Sequence, residues 1–99
     1  MRFDDLDIDT DFAAAVAVEL AKVEAECREQ GFPVSPDGAV RPPHAARLIG
    51  HKEKTLRNWR LESCTLLDRQ RLRGRTVGTR KVVYPLKEIA EWRVSNTFF

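Results

Sequence analysis

The chain lacks a long hydrophobic run. Nothing in its 99 residues approaches the ~20 consecutive apolar residues of a membrane span, so no membrane partner is expected. The opening stretch, MRFDDLDIDTDF, is acidic and has no signal-peptide pattern. The expected location is therefore cytoplasmic, with Cys27 and Cys64 as reduced thiols. Two isolated cysteines and two isolated histidines, His44 and His51, give no zinc-ligand spacing. No metal and no cofactor is expected. There is no glycine-rich phosphate loop, no His-Glu-x-x-His and no nucleophile signature. The acid cluster sits in the N-terminal stretch, a poor platform for rigid acid–base work. An enzyme is not expected. Internal repeats and low-complexity tracts are also missing, and a chain this short builds one modest core.

What the chain does have is a charge asymmetry. The net charge is only +2. Residues 1–34 hold nine acids and three bases, a net −6, while residues 35–99 hold six acids and fourteen bases, a net +8. A localised positive field of this kind suits a nucleic-acid surface. The plainer alternative is a solvated charged face. The clustering of the bases on one helix and one hairpin favours the nucleic-acid reading. The chain divides accordingly into an acidic N-terminal segment, 1–34, with one amphipathic helix, and a basic unit, 35–99.

The centre of the basic unit is HAARLIGHKEKTLRNWRL, residues 44–61. Ala45, Ala46, Leu48 and Ile49 give a first short helix an apolar face. Gly50 stops it, since glycine takes the left-handed conformation that a helix end often requires. A second helix starts near Lys52 or Glu53. Leu56 and Trp59 fall on its inner side. Lys54, Arg57 and Asn58 fall on the outer side. That pattern suits the second element of a helix-turn-helix. Arg57 has the chemistry to read guanine and Asn58 to read adenine in a major groove. Lys54 and Thr55 stand near the helix start, where base and phosphate contacts mix. Arg60 lies nearer the apolar side and is read as a partner for a phosphate or for an acid such as Glu62.

A hairpin is expected next, with Leu72 to Val77 and Arg80 to Tyr84 flanking Gly78-Thr79 in a type II′ turn. Arg73, Arg75, Thr79, Arg80 and Lys81 make it a basic wing, suited to the DNA backbone or the minor groove. The alternative is a charged edge that blocks strand-to-strand aggregation. A final helix is expected over Leu86 to Val94, with Trp59 and Trp92 as core residues. The tail SNTFF ends on Phe98 and Phe99.

Ahead of this unit, Met1 to Thr10 is expected to be loosely held, with Asp9, Thr10 or Asp11 capping a helix over Phe12 to Gln30. Phe12, Val16, Leu20, Val23 and Cys27 form one apolar stripe on it. Either the chain's own domain or a partner helix, most simply a second copy, must cover that stripe. A membrane surface fits less well, because the polar side is rich in glutamate. FPVSPDGAVRPP, residues 32–43, reads as a linker with a Pro36-Asp37-Gly38 turn and a short strand near Ala39 to Arg41. A domain on a flexible linker leaves the stripe for a partner. Phe12, Val16, Leu20 and Val23 are therefore the expected self-association residues.

The order of these pieces resembles the MerR-like winged-helix domain of small phage excisionases. That family runs small-small-x-Leu-Leu-Gly, then Thr-Leu-x-x-Trp, then a basic wing ending in Tyr, then x-x-Asp-Leu-x-x-Trp. Here Ala45, Ala46, Leu48, Ile49, Gly50, Thr55, Leu56, Trp59, Tyr84, Glu88, Ile89 and Trp92 hold those places. Lys52 and Lys87 depart from it, standing where the family prefers a Ser or Thr cap. Ser63 and Cys64 stand where a glycine usually ends the recognition helix. The resemblance spans about Val40 to Val94. It implies a mainly α fold with a small β-hairpin wing, a winged helix-turn-helix preceded here by an extra N-terminal helix. It also implies a double-stranded DNA-binding excisionase or a related phage or mobile-element regulator. Such factors steer an integrase toward excision, by bending DNA or binding side by side. An integrase and a second copy of the chain are thus the candidate protein partners. Two other readings stay open: the DNA-recognition part of a small terminase subunit, and an interaction module acting through the N-terminal helix.

Overall fold

The computed structural model describes residues 3–61, 71–72, 74–78 and 81–98, with side chains from residue 11 to residue 96. Four helices and three strands follow in the order α1 (Phe3–Gln30), β1 (Ala39–Val40), α2 (Pro42–Ile49), α3 (Glu53–Trp59), β2 (Arg75–Val77), β3 (Lys81–Pro85) and α4 (Leu86–Phe98). The fold is a winged helix-turn-helix preceded by an extra N-terminal helix. The strands form an antiparallel sheet in the order β1-β3-β2.

Helix α1 begins at Phe3, not at Phe12. No glycine or proline interrupts residues 3–30, and Asp4 and Asp5 lie at the positive end of the helix dipole, where acids are favoured. The expected caps Asp9, Thr10 and Asp11 therefore fall inside the helix. At its other end Gly31 is left-handed, with φ 71°, and the Phe32 amide donates to the Cys27 carbonyl at 2.9 Å. This is a Schellman stop. Helix α2 ends the same way: Gly50 has φ 74°, and the His51 amide donates to the Ala46 carbonyl at 2.9 Å.

The segment between α1 and α2 is a pinned turn rather than a flexible tether. The Gly38 amide donates to the Ser35 carbonyl at 2.8 Å and the Ser35 amide to the Ala39 carbonyl at 2.9 Å. The Ser35 hydroxyl accepts from the Ala39 amide at 3.2 Å. The Gly38 carbonyl in turn accepts from the Leu86 amide at 2.8 Å, which ties the turn to the start of α4. Ala39 and Val40 then pair with Pro85 and Tyr84. Pro42 opens α2, where its missing N–H is no loss.

One core joins the four helices with β1 and β3, and β2 lies outside it. Val16, Val23 and Cys27 of α1 pack with Leu48 and Ile49 of α2, Leu56 and Trp59 of α3, Tyr84 of β3, and Ile89, Ala90 and Val94 of α4. Val23, Leu56, Tyr84 and Ile89 are fully buried. Division at residue 34 therefore marks a change of charge and not a gap in packing. The apolar stripe of α1 is covered chiefly by α4 of the same chain. Val16 and Val23 are buried, and Phe12 and Leu20 are half-buried against the core. The four residues expected to await a second copy thus serve the chain's own fold, because the pinned turn brings α1 back onto α4.

An ion-pair clamp reinforces that contact. The Arg93 guanidinium meets a Glu19 carboxylate at 2.7 Å and a Glu26 carboxylate at 2.8 Å. It also donates to the Leu48 carbonyl of α2 at 3.4 Å. The two acids and this carbonyl explain how a charge is held on the inner side of α4. Helix α4 itself runs to Phe98, past the expected end at Val94. Phe99 lies outside the described residues.

Candidate nucleic-acid interface

Helix α3 is held by its two apolar residues and displays its polar ones. Leu56 is fully buried and Trp59 nearly so. Trp59 lies 6.0 Å from Trp92 of α4, ring centre to ring centre, and His51 sets its ring edge-on to both at 5.1 and 5.6 Å. This aromatic cluster fixes the turn between α2 and α3 on α4. Lys54, Arg57 and Asn58 stand exposed on the opposite side, and Thr55 is half-buried. Among the described residues, the side chains of Lys54, Arg57 and Asn58 have no partner. Lys52 caps the helix without a side-chain hydrogen bond, which leaves its ammonium exposed as well.

Arg60 has a different place from the one expected. It is half-buried, and its Nη1 donates to the Tyr84 hydroxyl at 2.5 Å. It joins the end of α3 to the central strand. Tyr84 is buried with its hydroxyl on this cation. Burial pushes its pKa up, and the charge and hydrogen bond of Arg60 push it down. The phenol stays the acceptor of a structural bond. Arg60 thus belongs to the support of α3 more than to its outer face, because the helix ends at Trp59 and turns the next side chain inward.

The hairpin differs from the expected one in its connection. Val77 pairs with Lys81, Thr76 with Val82 and Arg75 with Val83. The link therefore has three residues, 78–80, one more than a two-residue type II′ turn requires. Strand alternation puts Val82 and Tyr84 on the core side and Lys81, Val83 and Pro85 on the other. Arg75, opposite Val83, shares the outer side. Its Nε donates to a Glu88 carboxylate at 2.8 Å, although its side chain is 71% exposed. Arg75 is thus tied to α4 and not wholly free for an outside anion. Lys81 is exposed, with no side-chain partner among the described residues. Arg73, Thr79 and Arg80, expected on the wing, and Glu62, expected near Arg60, lie outside the described residues.

No family model, curated protein or solved structure matches the chain. The site therefore rests on its own geometry. Among the described residues no helix is long and apolar enough to cross a membrane, and no cluster of three or more His, Cys, Asp or Glu is placed to hold a metal ion.

Three residues near the site were not singled out by the sequence reading. Arg47 is exposed in the last turn of α2 and adds a cation to the helix-turn-helix unit. Its position opposite Ala45, Ala46 and Ile49 on a helical wheel was the available signal. Arg41 precedes α2 and donates to the Val82 carbonyl of β3 at 3.4 Å. Gly74 is left-handed at φ 71°, and a Cβ there would meet the Tyr84 ring and the Val83 carbonyl oxygen at 2.8 Å. Only glycine lets the chain entering the wing pass so close to the tyrosine that Arg60 holds.

Proposed function

We propose that the protein binds double-stranded DNA with a sequence preference and acts as an excisionase or a related regulator of phage or mobile-element DNA. One observation carries the reading: α3 buries Leu56 and Trp59 while Lys54, Arg57 and Asn58 stand exposed and, among the described residues, without partners. A helix held rigidly from behind and bearing cations and an amide outside is equipped for a major groove. The net +8 on residues 35–99 supports it. Phosphate contacts supply affinity and base contacts supply preference. Arg57 and Asn58 are the base readers, with Lys54 and Thr55 at the helix start. Arg60 positions α3 through Tyr84. Lys81 and Arg75, with Arg73, Thr79 and Arg80 by sequence, follow the backbone or enter the minor groove. The excision role rests on the resemblance of residues 40–94, and an integrase is the partner it implies.

Titration of duplex DNA at several salt concentrations tests the binding. Contact with about five or six phosphates gives a log–log slope near −5. A slope near zero would reject DNA binding. The excision role is tested separately, by adding the protein to an integrase and its attachment sites and scoring the ratio of excision to integration. An unchanged ratio, with DNA binding intact, would leave a DNA-binding protein of another role.

A further inference from the structure

Strand β1 stops short of the wing. It pairs with β3 only at Ala39 and Val40, opposite Pro85 and Tyr84, and the chain then turns into α2 at Pro42. Arg41 takes up the edge that β1 leaves: its Nη1 donates to the Val82 carbonyl of β3 at 3.4 Å. The residue is exposed, and its other guanidinium N–H groups have no partner among the described residues. Lys81, next to Val82 on β3, is exposed and likewise without a partner among them. The two cations line one groove of about 210 Å³, together with Ser35, Val34 and Val83. Among the described residues no acid lines it. The Ser35 hydroxyl accepts from the Ala39 amide at 3.2 Å, which leaves its own O–H to donate elsewhere. The adjoining, wider groove mixes Asp37, Glu88 and Glu91 with Arg75, Lys81 and Lys87 and so favours neither sign.

We propose that Arg41 and Lys81 together grip one phosphate of a DNA backbone at the foot of the wing. The proposal rests on the DNA-binding reading and extends it to a residue outside both the helix-turn-helix and the hairpin. A cleft lined by one sign of charge, with apolar walls, focuses the field between its charges. Val34 and Val83 supply such walls here. The Val82 carbonyl occupies one donor of Arg41 and fixes where its guanidinium lies. The remaining donors match phosphate oxygens in the forked geometry that arginine offers, and Lys81 adds a point charge. The Ser35 O–H is a third, neutral donor to the same groove. Such a contact sets the protein's register on the duplex and carries no sequence information. An acidic peptide would meet the same two cations. The net +8 of residues 35–99 and the exposed cations of α3 favour a long polyanion, which can engage more than one of these elements at once.

Titration of the full chain with several duplexes, between about 50 and 200 mM salt, tests the proposal. Arg41→Ala with Lys81→Ala lowers the log–log slope by about one, from near −5 to near −4. Affinity falls by the same factor on every sequence, and the melt is unchanged because both residues are exposed. Two cations on one phosphate are coupled, so the losses in log Kd from the two single variants do not sum to the loss from the double variant. Arg28→Ala removes the same charge from an exposed position on α1 and leaves slope and affinity as in wild type. A double variant that binds like a DNA-binding wild type would overturn the phosphate grip, leave the DNA reading in place and turn the groove over to an acidic peptide. Additive losses, with a slope lowered by about two, would put the cations on separate phosphates and overturn the shared site. An equal effect of Arg28→Ala would reduce the result to net charge and overturn it too. A wild-type slope near zero would overturn this proposal and the DNA reading together.

Discussion

The α1–α4 side and the α3 side of the molecule use the same charged side chains to different ends. On the first, Arg93 is largely enclosed, with its guanidinium shared by Glu19, Glu26 and the Leu48 carbonyl. On the second, Arg57 is exposed and, among the described residues, has no partner. Arg60 lies between these extremes, with one donor on a buried phenol. A cation whose demand is met inside the chain contributes to stability and has little left for an outside anion. A cation displayed on a rigid helix contributes little to stability and keeps its donors for a ligand. Position in the fold, not residue type, separates the two.

The contrast is broken most severely by Trp59→Ala. Trp59 backs α3 and touches both His51 and Trp92. Removing a buried aromatic costs about 3–5 kcal/mol, a large share of a small domain's stability. Melting temperature and DNA affinity should fall together. A variant that melts like wild type but fails to bind would move Trp59 to the interface. Arg93→Ala comes next. It leaves Glu19 and Glu26 facing each other without their shared cation. Full burial would make the loss larger; with the three side chains partly exposed, it should be about 2 kcal/mol. Chemical denaturation measures it, and DNA affinity at a temperature where the variant is folded should match wild type.

Arg57→Ala should do the reverse. DNA affinity falls by about 1–3 kcal/mol with relaxed preference at one base position, while the melt is unchanged. Equal loss on every sequence would assign Arg57 to a phosphate. The smallest effect is expected from Tyr84→Phe, which removes the hydroxyl that receives Arg60 and costs about 1 kcal/mol. Tyr84 also sets a pH dependence. Its pKa is raised above the ordinary 10.0, chiefly by burial. Between the unfolded and folded values the native state keeps a proton that the unfolded state has lost. Stability from this group is whole below pH 10 and falls as pH rises through the folded value. Burial also raises Cys27 above its ordinary 9.0, so the alkaline fall begins near pH 9. Tyr84→Phe should remove only its upper part, and urea titrations from pH 8 to pH 11 would show an unchanged limb if this account is wrong.

Much of the helix-turn-helix was legible in the residues. Pro42 and Pro43 mark where α2 can begin, Gly50 where it must stop, and the Leu56–Trp59 spacing which side of α3 turns inward. These signals are local: ring closure, a left-handed φ and helical periodicity act within a few residues. Arg60 and Arg75 were read as DNA ligands because both are arginines in a basic segment. Their partners, Tyr84 and Glu88, lie 24 and 13 residues away, and no local pattern pairs them. The same distance hid the relation of Arg93 to Glu19 and Glu26.

The start of α1 marks another limit. Acidic composition suggested a loose segment, whereas an unbroken run without glycine or proline, with acids at the positive end of its dipole, is helical from Phe3. Sequence alone determined the charge division, the two helix stops and the two-faced character of α3, since each follows from covalent geometry and from the periodicity of neighbouring side chains. Only the tertiary structure decided which apolar face of α1 the chain covers for itself and which cations remain displayed. The pinned turn through Gly38 returns α1 to α4, and once the two helices meet, packing and ion pairing assign every side chain between them at once.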